Sequence, residues 1–295
     1  MIPLKDARAP AHPVTVTRAG NRVAFQGEPG AYSDEAIAAS RGEVERLPCR
    51  TLREVFSAVE SGAAEEGIVP VENSYAGSIN ETYDLLLASP LHIVGEVTHR
   101  VDHCLLALPG ETLHTVRRVL SHPQALWQCE EFLRAHGLHP VPEYDTAGAA
   151  RRVAQERLAH TAAIAGRLAA RLYGLEVLAE SIQTASDNLT RFLFLSRTPA
   201  PPLEEAKTSI VFGTENVPGA LYRALGAFAR RGLNLSKLES RPAQQRASGG
   251  APWEYFFYVD VEAHVEAPLM GEALAELRGA TTFLRVLGSY PRARR

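Results

Sequence analysis

The feature that most constrains this chain is a Pro-rich, polar stretch, RTPAPPLEEA, which starts at Arg197. Proline fixes φ and has no N–H to donate, so such a stretch continues neither a helix nor a central strand. We therefore expect a linker over residues 198–206. It divides the chain into a unit of residues 21–197 and a smaller unit of residues 207–291, each long enough to fold around its own core.

The first unit alternates strand-like and helix-like patterns. Strand-like runs such as NRVAFQG and GIVPV are separated by helix-like runs such as TLREVFSAVESG, where Thr51 and Glu54 form a capping box and Gly62 ends the helix. A second capping box pairs Ser78 with Glu81. Alternation of this kind predicts an α/β fold with parallel sheets and flanking helices.

The second unit has a different order of patterns. Strand TSIVFGT is followed by helix GALYRALGAFARRG, strands LNLSKLESRP and WEYFFYVDVEA, helix PLMGEALAELRG and strand TTFLRVLGSY. This βαββαβ order predicts an α+β ferredoxin-like domain. Small modules of this kind often pair with a second copy because their sheet has an open edge.

Charge and composition disfavour several kinds of partner. The 295 residues carry a net charge of -3, and acids and bases are interspersed. Such a chain has no electrostatic footprint for nucleic acid or an anionic membrane. No stretch approaches the ~20 apolar residues that a membrane span needs. We therefore expect a small-molecule ligand, with no nucleic acid and no membrane as partners.

Cysteine usage and the N-terminal composition predict a location. The spacings of Cys49, Cys104 and Cys129 match neither a zinc motif nor a disulfide framework, which favours a reducing, cytoplasmic compartment. Residues 1–20 lack the unbroken apolar run of a signal peptide. We interpret them as a flexible N-terminal arm.

Three turns of the first unit feed a helix start through a polar loop that contains Gly or Pro: GEPGAYS, ENSYAGS and SHPQ. The free amides and the dipole of a helix N-terminus can bind an anion without any Lys or Arg. One interpretation is a cleft between two α/β halves that holds a carboxylate ligand. The other is that the three turns are helix caps and nothing more.

Three sharper alternatives have little support. Ser121 and His122 are adjacent, and neighbours rarely face each other, so a Ser/His hydrolase is disfavoured. His99, His103 and Cys104 have no fourth ligand at a convincing spacing for a metal. GEPGAYS has neither the P-loop Lys nor a dinucleotide fingerprint, which argues against nucleotide binding.

The stretch SDNLTRF contains the remaining candidates for chemistry. The hydroxyl of Thr190 can donate a hydrogen bond to a leaving oxygen, and Arg191 offers a forked cation for a carboxylate. The motif by itself favours a structural interpretation over this functional one. Asp187 and Asn188 would make a turn, Thr190 would begin a β-branched strand and Arg191 would be a surface charge.

Six short motifs in one order narrow these possibilities. GEPGAYS, VPVENSYAGSIN, SHPQALWQC and DNLTRF, followed by GALY and ESRP, resemble the prephenate dehydratase family over residues 22–290. The resemblance implies a catalytic region of two α/β subdomains similar to type II periplasmic binding proteins. We place these subdomains at residues 21–98 with 180–197, and at residues 99–179. The ferredoxin-like unit would be an ACT regulatory domain.

The resemblance also implies a reaction. In this family prephenate is converted to phenylpyruvate, water and carbon dioxide, a step of phenylalanine synthesis, and the gain of aromaticity removes the need for a cofactor or metal. Thr190 would donate to the leaving oxygen and Arg191 would hold a carboxylate, with Asn73 and Ser74 as further catalytic residues. The implied substrate contacts are Gly77, Ser78, Ser121, Gln124 and Phe192.

GALY and ESRP match the ACT motif, which implies that L-phenylalanine binds between paired ACT domains as a feedback inhibitor. The implied effector residues are Asn216, Gly219, Ala220, Leu221, Glu239, Ser240 and Arg241. The protein would then be a homodimer or homotetramer. Residues 1–20 are too few for the chorismate mutase domain of bifunctional relatives, so we expect a monofunctional dehydratase.

Two rival functions remain open at this point. The chain could be an arogenate dehydratase, which acts on the amino-acid analogue of prephenate. It could also be an amino-acid sensor without catalysis, because both units resemble folds that are used for binding.

Overall fold

A computed structural model of the protein describes residues 21–185, 187–203, 205–242 and 255–293. The proposed N-terminal arm, residues 1–20, lies outside these ranges. The described residues form three sheets, each covered by helices.

The part of the chain before the linker forms two of these sheets. In chain order its elements are β1 (Arg22–Gln26), α1 (Tyr32–Arg41), β2 (Glu45–Cys49), α2 (Leu52–Ser61), β3 (Glu66–Asn73), β4 (Gly77–Ser78), α3 (Asn80–Ala88), β5 (His92–Arg100), β6 (Cys104–Ala107), β7 (Arg118–Ser121), α4 (Pro123–Gln128), α5 (Glu130–Ala135), β8 (His139–Pro142), α6 (Thr146–Gln155), β9 (Thr161–Ala165), α7 (Arg167–Tyr173), β10 (Glu176–Ala179) and β11 (Leu189–Ser196).

The helix ends follow the local sequence in some places and not in others. At α2 the Thr51 hydroxyl accepts from the Glu54 amide, and Gly62 ends the helix in the left-handed region with φ 81°. The second capping box is wrong. Helix α3 begins after Ile79 with no side-chain cap, because Ser78 is taken into the short strand β4, where it pairs with Glu72.

The first sheet has the order β2-β1-β3-β11-β5, and the second has the order β10-β6-β9-β7-β8. Strands β1, β2 and β3 are parallel, as are β7, β8 and β9. The expectation of parallel sheets is otherwise wrong, because β11 is antiparallel to both of its neighbours and β6 is antiparallel to β9. The chain passes from the first sheet to the second between β5 and β6, and it returns to the first sheet between β10 and β11.

After the linker the elements are β12 (Ala206–Gly213), α8 (Ala220–Ala229), β13 (Leu235–Pro242), β14 (Tyr255–Val261), α9 (Pro268–Gly279) and β15 (Phe283–Pro291). The sheet is antiparallel with the order β13-β14-β12-β15. This is the ferredoxin-like βαββαβ arrangement, and the predicted fold class is confirmed.

The face of the third sheet that carries no helix packs against the first sheet. Tyr258, Leu287 and Tyr290 share one apolar cluster with Leu193 and Leu195 of β11. The two units approach closely at β15, where a Cβ on Gly288 would lie 2.1 Å from the Ile93 carbonyl oxygen. The side chains of β11 therefore alternate between this interface and the opposite face of the sheet.

Candidate active site

A cavity of about 270 Å³ lies between the first two sheets, close to the two crossovers. Loops from both subdomains line it, and Phe192 closes one wall as an almost fully buried ring. The polar lining residues are Gln26, Tyr32, Ser33, Arg50, Asn73, His103, His122, Gln124, Gln128, Tyr144, Asp145, Thr146, Asn188 and Thr190. Among the described lining residues, Arg50 alone has a permanently charged cationic side chain.

The three turns singled out in the sequence all contribute to this cavity. GEPGAYS leads into α1, ENSYAGS into α3 and SHPQ into α4. The starts of α1 and α3 are both open to an anion, because neither N-cap, Ala31 or Ile79, makes a side-chain capping bond. The α6 N-terminus also reaches the cavity, but the Asp145 carboxylate caps it by accepting from the Gly148 amide at 2.8 Å.

Asn73 lies at the end of β3, opposite Thr190 in the register of β11. Its Oδ1 accepts from the backbone amides of Tyr75 at 3.1 Å and Ala76 at 2.9 Å. These two backbone donors fix the orientation of the Asn73 side-chain amide. A backbone N–H can only donate, so the atom that faces it must be the oxygen and not the NH2 group. The Nδ2 group therefore points at β11, where it donates to Oδ1 of Asn188 at 2.7 Å and to Oγ1 of Thr190 at 3.0 Å.

This orientation decides what the Thr190 hydroxyl can do. Its oxygen accepts from Asn73, so its own proton remains available to another acceptor. Thr190 is buried and lines the cavity. A bound ligand oxygen would therefore meet a hydroxyl that is already set to donate.

The hydrogen bonds that begin at Asn73 continue through Asn188 into the second subdomain. Because Asn188 accepts from Asn73 through Oδ1, its Nδ2 donates to Oε1 of Gln128 at 3.0 Å. Nε2 of His103 lies 2.8 Å from that same oxygen. The Nε2 group of Gln128 is buried and has no hydrogen-bond partner within the part of the chain that the structure describes. It is a donor without an acceptor on a residue that lines the cavity.

His103 closes this chain of hydrogen bonds. Its Nε2 must donate to Gln128, so its Nδ1 accepts from the hydroxyl of Tyr32 at 2.6 Å. Burial lowers the pKa of His103 and raises the pKa of Tyr32 well above its ordinary value. Both groups are therefore neutral at pH 7, which is consistent with the direction of each hydrogen bond.

Of the two residues predicted as substrate contacts in the SHPQ motif, one lines the cavity. Gln124 lines the cavity, whereas the hydroxyl of Ser121 is fully buried and donates to the Ile164 carbonyl at 2.7 Å. Ser121 as a substrate contact is thus a prediction that the structure contradicts. Nδ1 of His122 accepts from the Gln124 amide at 3.2 Å, and burial lowers the pKa of this imidazole. Ser121 and His122 do not form a catalytic dyad.

Arg191 does not face the cavity, and its predicted role as a carboxylate clamp is wrong. Its guanidinium lies 2.7 Å from Glu96 and 2.7 Å from Asp260, on the side of the third sheet, β12–β15, which we call the ACT-like sheet. The reason is strand alternation, since Thr190 and Phe192 point into the cavity and the residue between them must point away. Burial lowers the pKa of Arg191, but the nearby Asp260, Tyr290 and Glu96 raise it by a larger amount. The guanidinium therefore stays charged.

The other predicted residues of the ENSYAGS turn lie next to the cavity but do not line it. Ser74 exchanges backbone and side-chain hydrogen bonds with Leu189, which holds the start of β11. Gly77 makes the turn with φ 76°, and Ser78 donates to Glu239 at 2.8 Å. Neither Gly77 nor Ser78 is among the lining residues, so the structure does not support either as a substrate contact.

The proposed effector residues fall into two groups. Glu239 and Arg241 face the catalytic unit, where Glu239 accepts from Ser78 and Arg241 contacts Asn80 and Asp84. Direct effector binding by these two side chains is therefore not supported. The remaining residues lie at the start of α8 or on the outer side of β13: Asn216, Gly219, Ala220, Leu221 and Ser240.

The side chains considered for metal binding have other partners. Nε2 of His99 lies 3.1 Å from Glu35, His103 contacts Tyr32 and Gln128, and Cys104 is buried. Within the described ranges, no three His, Cys, Asp or Glu side chains come together as a metal site. Within the same ranges, the structure has no helix with the length and apolar character that a membrane span requires.

Gln128 and Asn188 were not identified from the sequence as functional side chains. Gln128 follows Gln124 by four residues in one short helix, so both project to the same side. That spacing was the available signal for Gln128. For Asn188 the sequence predicts only a turn, whereas the structure shows that its side chain links Asn73 to Gln128.

The fold and the site define a two-lobed α/β enzyme with a polar interlobe cleft and an attached ferredoxin-like module. Comparison with known sequences gives the family. A profile described as prephenate dehydratase matches residues 23–200, and one described as ACT domain matches residues 208–279. The chain belongs to the prephenate dehydratase family and is a lyase.

Individual relatives agree with this assignment. The chain is 49% identical to arogenate dehydratase/prephenate dehydratase 2, chloroplastic, of Arabidopsis thaliana, over 92% of this chain and 72% of the relative. It is 47% identical to arogenate dehydratase 2 of Petunia hybrida, over 92% of this chain and 71% of the relative. These names identify the activity as a dehydratase step of phenylalanine biosynthesis.

Two solved structures are also similar. A prephenate dehydratase from Arthrobacter aurescens in complex with L-Phe has a TM-score of 0.83 and 32% identity, covering 92% of this chain and 90% of that one. A protein described as GqqA, a novel type of quorum quenching acylases, has a TM-score of 0.84 and 42% identity, covering 92% and 98%.

The comparisons correct the expected location. Several of the plant relatives are named chloroplastic, at 46–49% identity to this chain, which contradicts the prediction of a cytoplasmic protein. The cysteine pattern that supported this prediction indicates a reducing compartment, and it does not distinguish one reducing compartment from another.

Proposed function

We propose that this chain converts prephenate to phenylpyruvate, with Thr190 donating a hydrogen bond to the departing ring hydroxyl. The observation that carries the proposal is the fixed direction of the Asn73 amide, which makes the Thr190 oxygen an acceptor and leaves its proton to the cavity. A preorganised donor of this kind acts where negative charge develops as the hydroxyl leaves.

The proposed chemistry needs little else from the protein. The C–C bond between the ring and its carboxylate breaks, and the electron pair of this bond enters the ring. At the same time the C–O bond to the ring hydroxyl breaks. Carbon dioxide and, after protonation from solvent, water are released, and the ring becomes aromatic. No covalent intermediate is required, which is consistent with Ser121 and His122 each bonding to other groups and not to each other.

Binding of a dianion is supported by the positive end of α1, the Gln128 Nε2 group and Arg50 at the rim. Phe192 offers an apolar wall for the ring. We assign the pyruvyl carboxylate to the α1 end. The ring carboxylate must become neutral carbon dioxide, so a strong cation beside it would favour the ground state over the transition state.

The decisive experiment is incubation of the purified protein with prephenate at neutral pH, with phenylpyruvate measured against an enzyme-free blank. We expect turnover proportional to enzyme concentration. Formation of phenylpyruvate at the blank rate would refute the proposal and favour an amino-acid sensor.

A second candidate substrate is arogenate, because four relatives at 47–49% identity are named arogenate dehydratases, two of them with prephenate dehydratase also in the name. Comparing kcat/KM for the two substrates decides between them. We expect the larger value for prephenate, and a larger value for arogenate would reverse this part of the proposal.

We also propose that L-phenylalanine regulates the enzyme through the ferredoxin-like domain of a homodimer or homotetramer. A dehydratase structure with 32% identity is described as a complex with L-Phe, which supports a small effector. Here Gly219 caps α8 with φ 77°, so Gly219→Val strains the backbone. We expect the variant to lose L-phenylalanine binding in calorimetry while uninhibited turnover persists, whereas undiminished binding would place the effector elsewhere.

A further inference from the structure

Two neighbouring cross-strand pairs connect β3 and β11 at the cleft. Thr190 pairs with Asn73, and the next residues along the strands, Arg191 and Glu72, also pair. The first pair faces the cavity. Arg191 and Glu72 extend towards the ACT-like sheet, where each meets a residue of that sheet. The catalytic pair and this charged pair are thus held by the same two strands.

The ACT-like sheet presents a matching pair. Lys237 of β13 and Asp260 of β14 are cross-strand neighbours. Nζ of Lys237 lies 2.9 Å from Glu72, and Asp260 lies 2.7 Å from Arg191. Two pairs from different domains therefore lie face to face with opposite charges in contact. We call Glu72, Arg191, Lys237 and Asp260 the charge quartet.

The quartet is largely shielded from water. The side chains of Arg191, Lys237 and Asp260 are 16%, 12% and 8% exposed, and Glu72 is 40% exposed. Screening by salt is weak at such sites, and the loss of one partner leaves the other charge uncompensated. The two positive and two negative side chains sum to zero net charge. Separating the two sheets would break both ion pairs.

Neighbouring contacts bind the ACT-like domain to elements that lie beside these two strands. Glu96 of β5 accepts from both Arg191 and Lys207, at 2.8 Å each. Along β13 the alternate residues Glu239 and Arg241 hold the segment that follows Asn73. A shift of β13 or β14 is therefore passed to the strands that carry Asn73 and Thr190.

We propose that the charge quartet positions Asn73 and Thr190, so that the state of the ACT-like sheet sets the rate of turnover in the cleft. The quartet touches no substrate, and its members are positioning residues. A misplacement of a catalytic group by ~1 Å can cost ~10² in rate. This inference rests on the proposed dehydratase activity for its kinetic test, and a second measurement is independent of activity.

The kinetic test is a double-mutant cycle on the more exposed contact, with Lys237→Met, Glu72→Gln and the double variant. We expect each single variant to lose about tenfold in kcat with KM changed less than about twofold, and the double variant to lose no more than either single one. The charge-swapped protein, Glu72→Lys with Lys237→Glu, should recover to within about threefold of wild type.

Arg231→Met is the matched control. Arg231 pairs with Glu272 and Glu276 between α8 and α9, away from the catalytic unit, so its loss should leave kcat unchanged. Additive losses in the cycle, no recovery in the swap, or an equal loss in Arg231→Met would overturn the inference. If the wild type turns over neither prephenate nor arogenate, the proposed function fails instead.

Hydrogen exchange of backbone amides gives the independent measurement. In Lys237→Met we expect the amides of residues 73–76 and 189–192 to exchange at least about threefold faster than in wild type and in Arg231→Met. Unchanged exchange in both segments would contradict the positioning role, whether or not the protein is an active dehydratase.

Discussion

Replacing Thr190 by Val removes the hydroxyl and keeps the shape of the side chain. The Thr190 hydroxyl is the group whose proton the Asn73 amide leaves available to the cleft. Loss of one preorganised donor costs ~10²–10³ in kcat, or about 3–4 kcal/mol of transition-state stabilisation. KM should change little, because the hydrogen bond strengthens as the hydroxyl leaves and contributes less to ground-state binding.

The variant should remain folded. Nδ2 of Asn73 keeps Asn188 as an acceptor at 2.7 Å and the Leu189 carbonyl at 3.2 Å, so the free energy of unfolding should fall by only about 1 kcal/mol. Turnover is measured as phenylpyruvate formed at saturating prephenate. Thr190→Ser is the matched control, because it retains the donor and should stay within about tenfold of wild type.

Two outcomes would refute this reasoning. If Thr190→Ser loses as much kcat as Thr190→Val, the methyl group matters through packing and the hydroxyl is not the donor. If Thr190→Val raises KM and leaves kcat intact, the hydroxyl binds the substrate equally in the ground state and the transition state.

Three further predictions concern other parts of the molecule. Gln128→Leu removes a cavity donor and the acceptor of two neighbours, so kcat/KM for prephenate should fall ~10²-fold in steady-state assays. Burial lowers the pKa of His103 in the folded protein, so this imidazole binds a proton more tightly in the unfolded chain. The free energy of unfolding, measured with urea, should therefore fall as the pH drops below ~6.5. The fall should be smaller in His103→Gln. Gly288→Ala would force a Cβ against the Ile93 carbonyl and should lower the free energy of unfolding by about 3 kcal/mol, whereas Gly271→Ala, with open space around it, should raise it slightly.

Each of these has a contradicting result. Activity retained in Gln128→Leu would mean that the Nε2 group contributes to neither substrate binding nor turnover. A pH dependence unchanged in His103→Gln would assign the titration to other groups. A thermal or urea midpoint equal to wild type in Gly288→Ala would mean that β15 and β5 can separate without cost.

The sequence was most informative where local rules act alone. The capping box at Thr51 and the βαββαβ order of the second unit depend on nearest neighbours and on the period of apolar residues, and both are present. The box at Ser78 failed because Ser78 pairs with Glu72 in a short hairpin and its hydroxyl donates to Glu239 of the second unit.

The orientation of the site depends on contacts between distant segments. Strand alternation implied that Thr190 and Arg191 face opposite ways, but which of them faces the cleft depends on where the ACT-like sheet packs. The direction of each amide in the chain from Asn73 to Gln128 depends on backbone donors that no spacing rule identifies.

The position of the ring hydroxyl in a bound complex tests the central claim most directly. A crystal structure of the protein with a non-reactive prephenate analogue should place that hydroxyl at hydrogen-bond distance, about 2.7 Å, from Oγ1 of Thr190, with the Asn73 amide still donating to the same oxygen. A hydroxyl bound instead at His122 or Arg50, with Thr190 facing only Asn73, would contradict the account.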